Sequence, residues 1–513
     1  MKKFVFLFLL QAIFTDLLWA QKYIAPDGND ANPGTITQPF GTFAKAISEA
    51  MPGDTIYVRG GTYHLTSTIT ISAAKSGTEE KVVTMSAFKD EVPLLDFSAQ
   101  SLGSKGISLR ANYWHIIGLH VKGAGDNGME INFGSNNIIE RCVFFENRDS
   151  GLQLSNGSAN NRIINCDSYY NADPPDYADA DGFAPKLTVG SGNYFYGCRS
   201  WGNCDDGWDG YLRGATDVTT TLENCWSWSN GYLKDGTDPG SQANGNGFKM
   251  GGGDNSNSEA LMHHQILVRC VAFNNKNKGF DQNNNVGSMT LFNCTGYHNK
   301  AANYRIQRSL NPGQSLIIKN CVSFQGLVQL GGFAIQEANS WMPPFLVTAE
   351  DFLSLDANLA AAPRKPDGSL PDIDFLHLAT GSDLIDAGVE VGLPFSGNAP
   401  DLGAFETESS TEIEIAIANP PAQFELHQNY PNPFNAITTI CFSLPELSHV
   451  QLRIFNPAGQ LVRIIADQNF GAGTHEVTWH GDNGNGQSIG SGVYLYQMNA
   501  SGRTFTRKLI VIR

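Results

Sequence analysis

Five short segments share one element: a glycine, a large apolar residue, then a variable residue. They are Gly151-Leu152-Gln153, Gly182-Phe183-Ala184, Gly207-Trp208-Asp209, Gly247-Phe248-Lys249 and Gly279-Phe280-Asp281. Aligned on the glycine, Ala184, Asp209, Lys249 and Asp281 take equivalent places. Asp181 and Asp206 each precede that glycine, and Asp205 adjoins Asp206. If the segments stack, Asp181, Asp205, Asp206 and Asp209 converge in one patch, with Lys249 one repeat from Asp209. Clustered carboxylates raise one another's pKa unless a cation neutralises them. Oxygen-only ligands at variable spacing suit calcium. The competing account is that Asp merely populates turns. An EF-hand start at Asp179-Ala180-Asp181-Gly182 fails, because the twelfth position is Gly190 where a bidentate Glu is needed.

Lys249 lies in Gly245-Asn246-Gly247-Phe248-Lys249-Met250-Gly251-Gly252. That glycine-rich setting lets a bulky ligand approach closely. A lysine beside a cation loses its proton more readily than the ordinary value of about 10.4 suggests, which suits a general base. It also serves as a counter-ion to Asp209 in the bland reading. Lys186, Arg213, Arg305 and Arg308 are weaker candidates for holding substrate carboxylates, and each alone reads better as a solvated side chain. Asp281 is on the same ladder but farther from the patch. His263 and His264 adjoin, so on a strand they face opposite ways and do not share a metal.

The framework that must position these groups is a repeat. Seven cysteines are each followed by an aromatic three residues on, and six of them by Asn two residues later. The sets are Cys142/Phe145/Asn147, Cys166/Tyr169/Asn171, Cys198/Trp201/Asn203, Cys225/Trp228/Asn230, Cys270/Phe273/Asn275 and Cys294/Tyr297/Asn299, with Cys321/Phe324/Gly326 last. The steps are 24, 32, 27, 45, 24 and 27 residues. A period in the twenties with short strands and Asn turns indicates a β-solenoid. Equivalent residues then stack about 4.8 Å apart. The cysteines should form an interior ladder and the aromatics another. The asparagines should bond along a turn, since Asn tolerates left-handed backbone and its amide can pair with the next coil. Even spacing favours packed thiols over a disulfide framework. The two long steps carry insertions around Ala172–Ala178 and Leu233–Ala243, which bracket the carboxylate-rich coil. Such excursions usually build the binding face.

The remaining segments set boundaries. Lys2 and Lys3 precede an apolar run, and Trp19-Ala20-Gln21 reads as a signal-peptide cut after Ala20. No later segment is apolar enough to span a bilayer. Thr42 to Ala50 reads as a short helix capping the open end of the solenoid. The catalytic solenoid is assigned to residues 21–406 and a linker to 407–423. Residues 424–513 alternate like strands and carry turns at Pro457-Ala458-Gly459 and Asp482-Asn483-Gly484, giving a small antiparallel β-sandwich. The fold class is all-β, a right-handed parallel β-helix followed by that sandwich. The formal charge is −16 over 513 residues, which excludes nucleic acid and anionic membranes as partners. An acidic polysaccharide binds such a chain only where a cation or basic patch reverses the sign.

Asp-Ala-Asp-Gly-Phe (179–183), Asp-Asp-Gly-Trp-Asp (205–209) and Gly-Asn-Gly-Phe-Lys (245–249) resemble the active site of pectate lyases of polysaccharide lyase family nine, a likeness covering roughly 22–406. The resemblance implies that Asp181, Asp205, Asp206 and Asp209 bind calcium and that Lys249 takes the proton from carbon 5 of a galacturonate unit. It implies β-elimination of polygalacturonate-type pectin at an alkaline pH optimum. The C-terminal segment opens with His427-Gln428-Asn429-Tyr430-Pro431-Asn432-Pro433-Phe434-Asn435. It resembles the type A sorting domains of the type IX (Por) secretion system. That resemblance implies engagement of secretion machinery, then release or attachment at the outer surface. A carbohydrate-binding sandwich is the alternative there. For the whole chain, which is expected to be a monomer, the competing readings are a non-catalytic glycan-binding or adhesive β-helix and a lyase or hydrolase on another acidic glycan such as rhamnogalacturonan.

Overall fold

The computed structural model describes residues 21–253, 261–407 and most of 424–511. Residues 1–20, expected to form a signal peptide, and residues 408–423 of the expected linker lie outside the described residues. The chain divides into two compact units, Met1–Ser409 and Ser410–Arg513.

The first unit is a parallel β-helix. Strands return to three sheets in rotation, so each coil adds one strand to each sheet. One sheet has twelve strands, from Gln21–Ile24 to Ile335–Glu337. A second has ten, from Gly61–His64 to Val322–Phe324, and the third ten run from Ile69–Ile71 to Val328–Leu330. Alternation along each strand sends apolar side chains inward; Ile56, Met85, Ile116, Ile139, Ile163 and Phe195 are all buried. The helix Phe43–Glu49 closes the first end, N-capped by the Thr42 side chain, with Phe43, Ala46 and Ile47 buried.

The seven ladder cysteines are buried and form no disulfide. Their thiols reach strand carbonyls instead, as Cys142 does with Glu140 at 3.4 Å. The asparagine amides run from coil to coil: Asn147 to Asn171 at 2.9 Å, Asn171 to Asn203 at 2.8 Å, Asn203 to Asn230 and Asn230 to Asn275 at 3.0 Å. The left-handed residue in this turn is the one before the asparagine, as at Glu146, Tyr170, Ser229 and Asn274. The asparagine is therefore selected for its amide and not for its backbone. The other corner is also left-handed, in the residue directly before each ladder cysteine, for example Arg141, Asn165 and Asn224.

The aromatic ladder is not in the solenoid core. An aromatic three residues beyond an inward cysteine faces out, because strand side chains alternate. Phe145, Tyr169, Trp201, Trp228 and Phe273 stack on that outer face at 4.3 to 5.4 Å. The regular coils end at Ile335–Glu337. Residues 345–405, expected to continue the solenoid, instead form a roof with two 3₁₀ turns, Ala349–Asp351 and Ala357–Ala361. Phe352, Phe375, Leu378, Leu384 and Leu402 of this roof cover Trp228, Phe273 and Phe324. A buried clamp pins it: Asp167 accepts Arg199 at 2.8 Å and Arg364 at 2.7 Å.

The second unit is the expected sandwich. Three antiparallel strands (Glu425–Leu426, Thr438–Leu444, Gly473–Trp479) form one sheet. Four (Leu461–Phe470, Ser448–Phe455, Gly492–Ala500, Arg503–Val511) form the other. Ile440, Phe442, Leu452, Ile454, Tyr496 and Met498 fill its core. Among the described residues no helix is long and apolar enough to cross a membrane.

Candidate active site

The repeated glycine element maps onto consecutive strands of the third sheet: Leu152–Ser155, Phe183–Pro185, Trp208–Asp209, Phe248–Lys249 and Lys278–Asp281. Phe183, Trp208, Phe248, Phe280 and Tyr304 stack inside the solenoid at 4.8 to 5.2 Å. That stack fixes the register of the outward residues. Asp209 pairs with Lys249, and Lys249 with Asp281. The glycines are demanded by space: a Cβ on Gly182 would lie 1.9 Å from Ser200 Oγ, and one on Gly207 2.0 Å from Ser227 Oγ. Those serines instead donate to the carbonyls of Gly207 and Gly247, locking the corner that presents the carboxylates.

All four carboxylates are buried. Each has its Oδ1 held by a backbone N–H. Asp206 N donates to Asp181 at 3.2 Å, Asn244 N to Asp205 at 2.5 Å, Asn246 N to Asp206 at 2.7 Å and Tyr211 N to Asp209 at 2.9 Å. Asn246 Nδ2 adds a second bond to Asp206, at 2.8 Å. Asn244 directly follows the second insertion, and Lys276 ties that insertion back through Asp238 and the Gly240 carbonyl, both at 2.6 Å. The first insertion meets it across a cleft of about 560 Å³ lined by Tyr170, Pro174, Tyr177 and Leu233.

Asp181, Asp205 and Asp206 bring ligand oxygens within 4.8 Å of one another. Asp209 is beside this trio but is drawn to two lysines. Lys249 Nζ lies 3.3 Å from its Oδ1 and Lys186 Nζ 3.7 Å from its Oδ2. Lys249 also lies 3.1 Å from Asp206 Oδ2. Asp206 Oδ2 is fully buried and has this ion pair but no hydrogen bond from a backbone or amide N–H. A buried carboxylate oxygen held by one ammonium alone keeps acceptor capacity that a cation can use. The donor set, carboxylate oxygens anchored by backbone N–H groups, fits calcium.

The charges act on one another strongly. Burial pushes the Asp181 and Asp205 carboxyls well above their usual range, against the pull of Lys186 on Asp181 and of Lys249 on Asp205. Burial raises Asp206 too, with Lys249 opposing. At Asp209 burial is outweighed by Lys249 and Lys186, and its carboxyl is held below the usual value. Burial works against the Lys249 ammonium, yet Asp209, Asp206, Asp205 and Asp181 together hold it well above an ordinary lysine.

Lys186, expected as a solvated side chain or a substrate contact, is neither. It is buried against Asp181 at 2.7 Å. Outward alternation through Ala184 and Lys186 was the available signal. Asn244 went unnoticed because its contribution is a backbone N–H that no side-chain pattern reveals, and Asn246, though inside the 245–249 motif, was given no role despite bonding Asp206 through both its backbone N–H and its amide. Arg213, Arg305 and Arg308 are exposed. Asp281 is taken by Lys278 at 3.0 Å. His263 faces inward and His264 outward, the latter on Asp217 at 2.8 Å.

Residues 22–325 match the family described as "Pel9A-like, right handed beta helix region", and residues 436–503 match the FlgD Ig-like domain. Pectate lyase L of Dickeya chrysanthemi is 39% identical over 396 residues, spanning 75% of this chain and 90% of that protein. The crystal structure of pectate lyase Pel9A is similar with a TM-score of 0.70 and 36% identity, over 76% of this chain and 98% of that one. A solved rhamnogalacturonan lyase is similar with a TM-score of 0.61 and 25% identity, over 70% of this chain and 96% of that one.

Proposed function

The chain belongs to the Pel9A-like right-handed β-helix family and is a polysaccharide lyase; from that premise we propose that it is a secreted, calcium-dependent pectate lyase with Lys249 as general base. The observation that carries this reading is the convergence of Asp181, Asp205 and Asp206 beside Lys249, one strand from its register partner Asp209. Asp181, Asp205, Asp206 and Asp209 would hold the ion. Calcium held there would supply positive charge that makes the carbon 5 proton of the substrate more acidic.

The protein's own groups do the rest. The backbone N–H groups of Asp206, Asn244, Asn246 and Tyr211 keep the carboxylates in place before substrate arrives. Lys249, largely enclosed and lying 5.9 Å from the Tyr211 ring centroid, accepts the carbon 5 proton at Nζ once neutral. The electron pair left on carbon 5 forms the double bond to carbon 4, and the oxygen on carbon 4 departs and is protonated. One product then carries an unsaturated end. With its four carboxylates uncompensated, Lys249 keeps its proton. Base and cation are therefore coupled.

The likeness to the rhamnogalacturonan lyase keeps a second substrate in view, another acidic polysaccharide cleaved by the same elimination. The C-terminal unit, an immunoglobulin-like sandwich by its match, is read as the sorting domain that engages the secretion machinery and leaves the enzyme free or held at the outer surface. The test is ultraviolet absorbance on polygalacturonate, with calcium or with a chelator. A calcium-dependent rise lost in Lys249→Ala supports the reading. No rise on polygalacturonate, methylated pectin or rhamnogalacturonan moves the assignment to a glycan-binding surface protein.

A further inference from the structure

We propose that Lys186 is a permanent countercharge that sets the carboxylate site to balance one divalent cation and to discriminate against trivalent ones. The inference rests on the calcium reading above and concerns a residue with no part in the proton transfer. An ammonium has three N–H groups, and Lys186 Nζ has three oxygens around it. They are Asp181 Oδ2 at 2.7 Å, the Asp179 carbonyl at 3.2 Å and Asp209 Oδ2 at 3.7 Å. Its side chain is only 6% exposed. Ser150 Oγ donates to the same Asp181 oxygen at 3.1 Å and closes the other side. A lysine so enclosed cannot swing to a substrate and cannot be exchanged for solvent.

Lys249 is its counterpart with the opposite assignment. It approaches Asp206 and Asp209 but sits in the row that faces outward beside Asp281. Lys186 is the more enclosed of the two, its side chain 6% exposed against 11% for Lys249. With Lys249 in its protonated resting form, the four ligand carboxylates and two ammonium groups leave −2, which a single divalent ion cancels; the Asp149 carboxyl also acts on Lys186 but is not part of this ligand set. Without the Lys186 charge the count is −3, and a trivalent ion becomes the better match. Within a buried site a unit charge a few ångströms away changes ion selectivity by about tenfold or more. Lys186 is therefore a positioning residue acting through Asp181 and Asp209.

The test uses the full-length protein stripped with a chelator, with calcium and terbium titrated by calorimetry and terbium also by its luminescence. Lys186→Met should raise the preference for terbium over calcium by about tenfold or more. Lys186→Arg, which keeps the charge, should hold the wild-type ratio. The double variant Lys186→Met with Asp181→Asn restores the count to −2 and should return the ratio to wild type while both affinities fall. A structural role alone moves both ions together and leaves the ratio unchanged, and that result in a folded Lys186→Met overturns the proposal. If Lys186→Met does not fold, the double variant decides, and an altered ratio there overturns it. Absence of calcium binding by the wild type defeats the calcium reading and this inference with it.

Discussion

Asp209 and Lys249 are register partners on neighbouring coils, with the ammonium 3.3 Å from the carboxylate. The solenoid thus holds the proposed base against one of the groups that keep it charged. In the proposed mechanism, relief of that pairing is the step that would make it a base.

Lys249→Ala leaves the Phe248 stack untouched and is compared with the wild type in calcium, which offsets the buried carboxylates the lysine otherwise neutralises. Elimination measured by ultraviolet absorbance should drop by about 10²- to 10⁴-fold.

Lys249 is held above an ordinary lysine by four carboxylates, so its neutral form grows only as pH rises. The rate should therefore climb into the alkaline range. Added calcium offsets the carboxylates and should move the rising limb toward lower pH. A pH–rate profile at two calcium concentrations checks both, and a flat or acid-favouring profile would remove Lys249 from the base role.

Asp206→Asn should weaken calcium binding by about tenfold or more, because it removes the buried carboxylate oxygen that has no hydrogen bond from a backbone or amide N–H. Calorimetry reads the affinity. In the wild type, calcium at about a hundred times its Kd should stabilise the fold by about 2.7 kcal/mol over the chelated protein, read as a higher Tm.

His263 is fully buried, its ring between the Gly210 carbonyl at 2.7 Å and Thr220 Oγ1 at 2.8 Å. Burial pushes its pKa down to about 4. A depressed histidine stabilises the fold above its unfolded value near 6.5, and that stability is lost as pH falls from there toward 4. The loss should reach about 3 kcal/mol. Denaturation midpoints for wild type and His263→Gln across this window should converge as pH falls.

Gly207→Ala should destabilise by about 1–3 kcal/mol, since the added Cβ meets Ser227 Oγ at 2.0 Å and the Gly247 carbonyl at 2.6 Å. Calcium affinity should fall with it, because Asp206 and Asp209 flank this residue. Thermal melts and calorimetry on one preparation read both.

Much of this was legible in the sequence because a solenoid converts spacing into position. Once Gly182, Gly207 and Gly247 are aligned, the Asp209–Lys249 pairing follows with no further information. The asparagine ladder was equally plain, though the left-handed backbone belongs to its predecessor. Two features were not legible. The aromatics Tyr169 and Trp201 repeat as regularly as the cysteines, and only the odd offset of three residues reveals that they face out. Residues 345–405 carry no repeat, and their place is set by what the outer aromatics need covered. Lys186 was hidden by being five residues from Asp181, past the end of the strand that the repeat defines.

The Asp167 clamp joins residues 197 positions apart in the chain. Closing so long a loop is costly in chain entropy, and reopening must tear a buried carboxylate from two arginines. The barrier to unfolding is thereby raised in a way that equilibrium stability does not measure. If the chain is exported as proposed, survival time among proteases is governed by that barrier, and the roof is its latch.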